Sequence, residues 1–245
     1  MIPGIDRSSH NSIAGAPWAS VRSGFAFVRV TMGATGRDTA AAEHLARGAQ
    51  AGCPALGAYH FLRADSAGVR QAEGFLQRVH ALEQVTGPLL CAVDVEDMPP
   101  PHPPWDLDAY RRALLDFLDV LSRAGRVCAV YIAPWMADRL ALPPELAACP
   151  LWLAHWVSVP KPPKPWSTWQ IWQYGVEGVQ GQQVDRNRYR GTAQDLRELF
   201  RLDSQPAYDS LGPVVTSIHA ARGQGPGGAE DFVSRDEGPV IDDGG

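Results

Sequence analysis

The sequence predicts an α/β fold, an irregular TIM-barrel-like (β/α) barrel of about eight strands with helices mainly in the first half. Three observations lead there. Short apolar runs recur along the chain, and segments with helical spacing separate them through the first half. The runs are apolar on both faces, as strands are when helices cover the outside of a parallel sheet. A chain of 245 residues with 45% hydrophobic content can bury one large core, so a single main domain suffices.

Strands are expected at residues 4–6, 25–31, 55–62, 89–96, 127–133, 151–156, 169–174 and 184–187. Helices are expected at 39–51, 66–82, 106–124 and 192–202. Asp65 or Ser66 suits the N-cap of the second helix and Asp106 that of the third, because such side chains accept orphan amide protons of the first turn. After about residue 142 the helices shorten while strands continue, which predicts a helix-poor closure. Residues 98–105 hold five prolines and residues 159–166 four; both read as stiff extended loops. Residues 1–202 form the expected domain. From Asp203 aliphatic periodicity fades and Gly, Pro, Asp and Glu accumulate, so 203–245 reads as an acidic, loosely docked tail.

Charge is unevenly placed. The net charge is -5, yet the tail sets eight acids against Arg222 and Arg235, leaving 19 acids and 20 bases in residues 1–202. That near-neutral body lacks the basic stripe of a nucleic-acid binder. Cys53, Cys91, Cys128 and Cys149 have no zinc-like spacing and read as free thiols of a protein made in a reducing compartment. The start, MIPGIDRSSHNS, resembles no signal peptide, and no stretch approaches a membrane span. The expectation is a monomer made in the cytoplasm.

The chemistry concentrates in acidic residues. Along Leu89-Leu90-Cys91-Ala92-Val93-Asp94-Val95-Glu96 side chains alternate, so Asp94 and Glu96 share one face and Cys91, Val93 and Val95 the other. If the Cys91 face meets helices, both acids point into the barrel near its C-terminal rim, where such barrels hold catalytic groups. Like charges this close separate their pKa values, leaving one group able to donate a proton while the other stays ionised. Glycoside hydrolysis needs that division. By itself an Asp-x-Glu strand end is as readily a pair of solvated carboxylates. Asp6 ends the first strand and Asp185 lies in the last; closure of the barrel makes these strands neighbours, so four carboxylates can ring one rim.

Aromatic residues in or just after the strands offer apolar stacking faces for sugar rings, and Tyr59, Tyr131, Trp172 and Tyr174 are the candidates for a binding groove. His60 and His155 lack metal-ligand spacing and read as core or supporting groups. No Gly-x-Ser-x-Gly elbow is present.

Together these residues resemble the lysozymes of glycoside hydrolase family 25, which cleave bacterial peptidoglycan. The resemblance rests on Gly4-Ile5-Asp6 followed by Ser8, Trp18 before Gly24-Phe25, Gly57-Ala58-Tyr59-His60-Phe61, Asp94-Val95-Glu96, Leu151-Trp152-Leu153-Ala154, Trp172-Gln173-Tyr174 and Val184-Asp185-Arg186-Asn187. It implies a groove over the barrel's C-terminal end and no metal or organic cofactor. It further implies cleavage of the β-1,4 bond between N-acetylmuramic acid and N-acetylglucosamine, with Glu96 as proton donor. Asp94 would assist attack by the substrate's own acetamido group, Asp6 and Asp185 would orient and tune their neighbours, and Tyr59 would face the cleft. The partner is then cell-wall peptidoglycan, reached after lysis-linked or non-classical release.

Two departures from the family pattern stand out. Arg29-Val30-Thr31-Met32-Gly33 carries methionine where a glutamate is usual, and Arg7 and Ser9-His10 replace small, apolar or aromatic residues. They motivate two rival readings: a catalytically silent glycan-binding domain, and a glycosidase acting on another N-acetylated polymer such as chitin.

Overall fold

A computed structural model describes residues 1–11, 18–22, 24–96, 106–179 and 182–204. These fall within one compact unit, Met1–Tyr208. The proline-rich segment 98–105 and the tail from residue 205 onward lie outside the described residues.

In chain order the elements are β1 (Ile2–Arg7), β2 (Phe25–Met32), β3 (Gly36–Arg37), α1 (Ala41–Gln50), β4 (Ala55–Phe61), α2 (Gly68–Thr86) and β5 (Leu90–Val95). Then come α3 (Leu107–Arg123), β6 (Cys128–Ile132), α4 (Pro134–Leu140), β7 (Leu151–Ala154), β8 (Ile171–Val179), β9 (Gln182–Tyr189) and α5 (Ala193–Leu199). Every expected strand and helix is present, with ends shifted by a few residues. The short α4 and the two-residue β3 escaped the sequence reading, since neither is long enough to show a period.

The strands close into an eight-membered ring, β1-β2-β4-β5-β6-β7-β8-β9 and back to β1, with β3 added to the edge of β2. The pairings from β1 through β8 are parallel, but β9 is antiparallel to both β8 and β1. The barrel is therefore mixed rather than wholly parallel. Only residues 180–181 separate β8 from β9, too few for the crossover that a parallel pair requires.

Alternation along the strands makes two cores. Inward-facing Phe25, Phe27, Tyr59, Leu90, Ala92, Ala129 and Trp152 fill the barrel; outward-facing Val28, Ala58, Cys91, Val93, Val95 and Val130 meet Phe75, Val79, Leu114, Phe117 and Leu121 of α2 and α3. Glycine makes the inner filling possible: a Cβ on Gly57 would lie 2.4 Å from Phe27, and one on Gly4 2.2 Å from Phe25. At the N-terminal end of the barrel, Leu196 of α5 and the following Phe200 and Leu202 join this inner core. The Phe200 ring sits 6.4 Å from Phe27, and Arg197 donates to the Pro54 carbonyl at 3.1 Å. The segment after β9 thus stoppers the barrel from below.

Asp106 caps α3, its Oδ1 accepting from the amides of Asp108 and Ala109 at 2.9 and 3.1 Å. The expected cap on α2 is corrected. The helix starts at Gly68 with Ala67 at the N-cap and no side-chain cap bond. Gln71 ties this turn instead, donating to the carbonyls of Arg63 and Ser66, both at 2.8 Å. Gly68 sets the start, because a Cβ there would lie 2.0 Å from the Ala113 carbonyl oxygen on α3.

His60 is a core group. Its ring stacks on Phe117 at 4.9 Å and meets Thr31 and Gln71 through its two nitrogens, and burial pushes its pKa down to about 4. All four cysteines are free thiols, Cys149 half-buried and the others buried. Among the described residues no helix is long and apolar enough to cross a membrane.

Candidate active site

Because Cys91, Val93 and Val95 pack outward, the opposite phase of β5 carries Asp94 into the barrel mouth, where it is 6% exposed. Glu96 follows directly after the strand and is half-buried. Its backbone is pinned to α3: the buried Tyr110 hydroxyl accepts the Glu96 N–H and lies within reach of the Glu96 carbonyl, both at 3.1 Å. Asp6, near the end of β1, is the cross-strand partner of Asp185 on β9. All four carboxylates line one cleft of about 340 Å³.

Asp6 is held by a relay of amides. Its Oδ2 accepts from Gln173 Nε2 at 3.0 Å and Asn187 Nδ2 at 2.8 Å. The other end of each amide is fixed by an aromatic donor. Tyr131 Oη and Trp156 Nε1 both donate to Gln173 Oε1 at 3.0 Å, and Trp152 Nε1 donates to Asn187 Oδ1 at 2.7 Å. With each amide oxygen committed, each amide nitrogen must face Asp6. Burial and the Asp185 charge nevertheless raise Asp6 to about 7, the two amide bonds opposing them.

The neighbouring acids are shifted the same way. Burial raises Asp94 well above the usual carboxylate range, helped by Glu96 and Asp6. Burial and then Asp185 raise Glu96, and burial raises Asp185 against the pull of Arg7, itself buried. The Arg29 cation lines the cleft and lowers both Asp94 and Glu96. Residues just past β3 and β1 fix it: Asp38 accepts from Arg29 Nε at 3.0 Å, and Ser9 Oγ accepts from Nη2 at 3.0 Å. Asp94 Oδ1 is buried and has no hydrogen-bond partner among the described residues.

Of the aromatic candidates, Tyr59 and Tyr131 line the cleft, their rings edge-on to Trp152 at 6.2 and 4.9 Å. Trp172 and Tyr174 do not, and this corrects the expected groove. They face outward from β8, Trp172 packed against Trp169 at 5.6 Å and against Tyr174 at 5.5 Å. Arg188 covers Tyr174 at 4.4 Å, and the Trp172 indole donates to the His155 carbonyl at 2.7 Å. Alternation turns Gln173 inward instead. Sequence reading missed Gln173, Asn187 and Arg29 as site residues, and ranked Trp152 and Trp156, aromatics in or just after strands, below the four candidates. The signal for the first two was the need of a buried carboxylate for donors.

Met32 is half-buried at the end of β2, paired with Phe61 and Gly36, and is not part of the cleft lining. Among the described residues no group of three or more His, Cys, Asp or Glu side chains is arranged to hold a metal ion.

Comparison with known proteins agrees with this geometry. The profile of Glycosyl hydrolases family 25 matches residues 5–182. No curated protein matches the sequence. Among solved structures, the chain resembles a bacterial lysozyme from Streptomyces coelicolor at 28% identity and TM-score 0.65, over 81% of this chain and 96% of that one. A muramidase from Acremonium alcalophilum is 25% identical at TM-score 0.65, over 81% and 98%. A muramidase from Trichobolus zukalii shares the fold at TM-score 0.68 and 24% identity, over 82% and 99%. With the profile spanning most of the barrel and these folds superposing on it, the chain belongs to the glycosyl hydrolases of family 25, and it is a glycoside hydrolase.

Proposed function

We propose that this enzyme hydrolyses the β-1,4 bond between N-acetylmuramic acid and N-acetylglucosamine in bacterial peptidoglycan, with Glu96 as general acid and Asp94 assisting the substrate's acetamido group. The observation that carries the reading is the unequal setting of these two carboxylates in one cleft: Glu96 half-buried at the rim, Asp94 deep with an oxygen that has no hydrogen-bond partner among the described residues. Burial and the Asp185 charge raise the pKa of Glu96 and so favour its protonated form, whose proton passes to the leaving sugar oxygen as the bond to the anomeric carbon breaks. Asp94 acts in its ionised form, which burial disfavours and the Arg29 charge favours: its Oδ1 accepts the acetamide N–H, steering the acetamide oxygen onto the anomeric carbon and balancing the positive charge that forms. Water then opens the resulting ring, and the Glu96 carboxylate takes the water's proton. Asp6 and Asp185 keep the local charge high without reacting, and Arg29 limits the rise.

Arg29 gives the pH dependence a handle. Removing its charge raises both Asp94 and Glu96 further, so Arg29→Met is expected to move the pH–rate profile toward higher pH, while Arg29→Lys stays near the parent. A profile for Arg29→Met that stays in place or moves toward lower pH would contradict that role.

Fragment analysis decides the bond. Mass spectrometry of digested, purified peptidoglycan is expected to show reducing-end N-acetylmuramic acid. Reducing-end N-acetylglucosamine, or cleavage of chitin in preference, would replace this reading. The binding-only alternative rested on Met32 and the irregular start. Met32 lies off the cleft, which speaks for hydrolysis.

A further inference from the structure

Beside the acidic cleft lies a second cavity of about 460 Å³, and the two share Tyr131, Trp156 and Gln173 as a common wall. The rest of its lining among the described residues is Ala133, Pro134, Trp135, Ala154 and His155, and none of these is a carboxylate. Two indoles flank it in the open, Trp135 at 50% and Trp156 at 57% exposure, and Val157 and Val159 continue the apolar surface. Basic residues border the same wall. The Arg139 guanidinium sits 5.7 Å over the Trp135 ring, and the backbone amide of the exposed Lys161 donates to His155 Nδ1 at 3.4 Å, which fixes the start of that lysine beside the cavity. That segment carries both lysines of the chain, Lys161 and Lys164. Asp138 is the nearby acid on α4 and does not line the cavity.

Charge is thus segregated along one continuous depression: acids where the sugar bond is cut, small apolar walls and cations beside it. A bare, neutral glycan has no use for the basic side. A glycan bearing a short peptide of small apolar residues ending in carboxylates does, because alanine-sized groups fit walls of alanine, proline and indole while cations meet the acidic end. We propose that this second cavity is a subsite for the acidic peptide carried on the glycan, with Trp135 and Trp156 as its walls and Lys161 as its principal cation. The proposal rests on the peptidoglycan reading above and adds to it a contact to the peptide rather than to the sugars.

The test compares full-length parent, Trp135→Ala and Lys161→Glu on two glycans, one with its peptides intact and one stripped of them by an amidase. Both variants are expected to lose kcat/KM on the peptide-bearing glycan about tenfold more than on the stripped one. An equal loss on both glycans, or no loss on either, overturns the subsite. A parent that cuts neither glycan defeats the muramidase reading instead. For that case, calorimetric binding of N-acetylmuramyl dipeptide still decides the cavity: affinity about tenfold weaker in Lys161→Glu supports the subsite, and equal affinity refutes it.

Discussion

Replacing Glu96 with glutamine is expected to cut cell-wall hydrolysis by about 10²- to 10⁴-fold, the usual share of a general acid. The fold should be untouched. Tyr110 holds the residue through its backbone, which glutamine keeps, and the substitution removes one of four crowded negative charges. Thermal unfolding should therefore match or slightly exceed the parent. Asp94→Asn should cost nearly as much activity, because an amide cannot balance the charge formed on the acetamide. Reducing-end release, measured beside the melting temperature, checks both, and a fully active Glu96→Gln enzyme would remove Glu96 from the mechanism.

Asp6→Asn is expected to move stability and activity in opposite directions. The folded-state pKa of Asp6 is about 7 against an ordinary value of 3.8, so folding favours the protonated form. Its contribution is fully present below the ordinary value and is lost as pH rises through about 7. At pH 8 the ionised group weighs on the fold by an amount on the order of a few kcal/mol. Asparagine stays neutral and its side-chain oxygen can still accept from Gln173 and Asn187. The variant should melt several degrees above the parent at pH 8, with the gap closing toward pH 4. Activity should drop on the order of tenfold to a hundredfold, since an amide donor replaces the second carboxylate oxygen and the Asp6 charge no longer acts on Asp94. Melting curves across this range, with a parallel rate measurement, test the pair of effects; a gap that widens toward acid pH would reverse the sign assigned to Asp6. Such a trade of stability for function is what a buried charge at a working site predicts.

The strand positions were legible because period-two alternation and apolar runs are local properties, and so was the inward direction of Asp94, once Cys91, Val93 and Val95 were recognised as an outer face. The direction of β9 was not legible, because the expected strands ended at 174 and resumed at 184; the short link that rules out a crossover belongs to the folded chain. Trp172 and Tyr174 misled because an aromatic side chain looks the same from sequence whether it fills an outer layer or lines a groove; the phase of β8 relative to its neighbours decides, and phase is a property of the closed barrel. Gln173 and Asn187 carry no chemical signature of their own. Their role arises from a buried Asp6 that needs donors, and that burial is set by strands from opposite ends of the chain. Arg29 gains its place from Asp38, which follows β3, two residues of strand that no periodicity announces.

The stopper formed after β9 bears on where this domain can be said to end. The family profile stops at residue 182, before Asp185 and Asn187 and before Leu196, Phe200 and Leu202. A boundary drawn there would remove a wall of the active site and open the floor of the barrel together. The barrel as folded is consequently longer than its sequence signature, and the residues that close its floor belong to the same inner core as the strands beneath the active site.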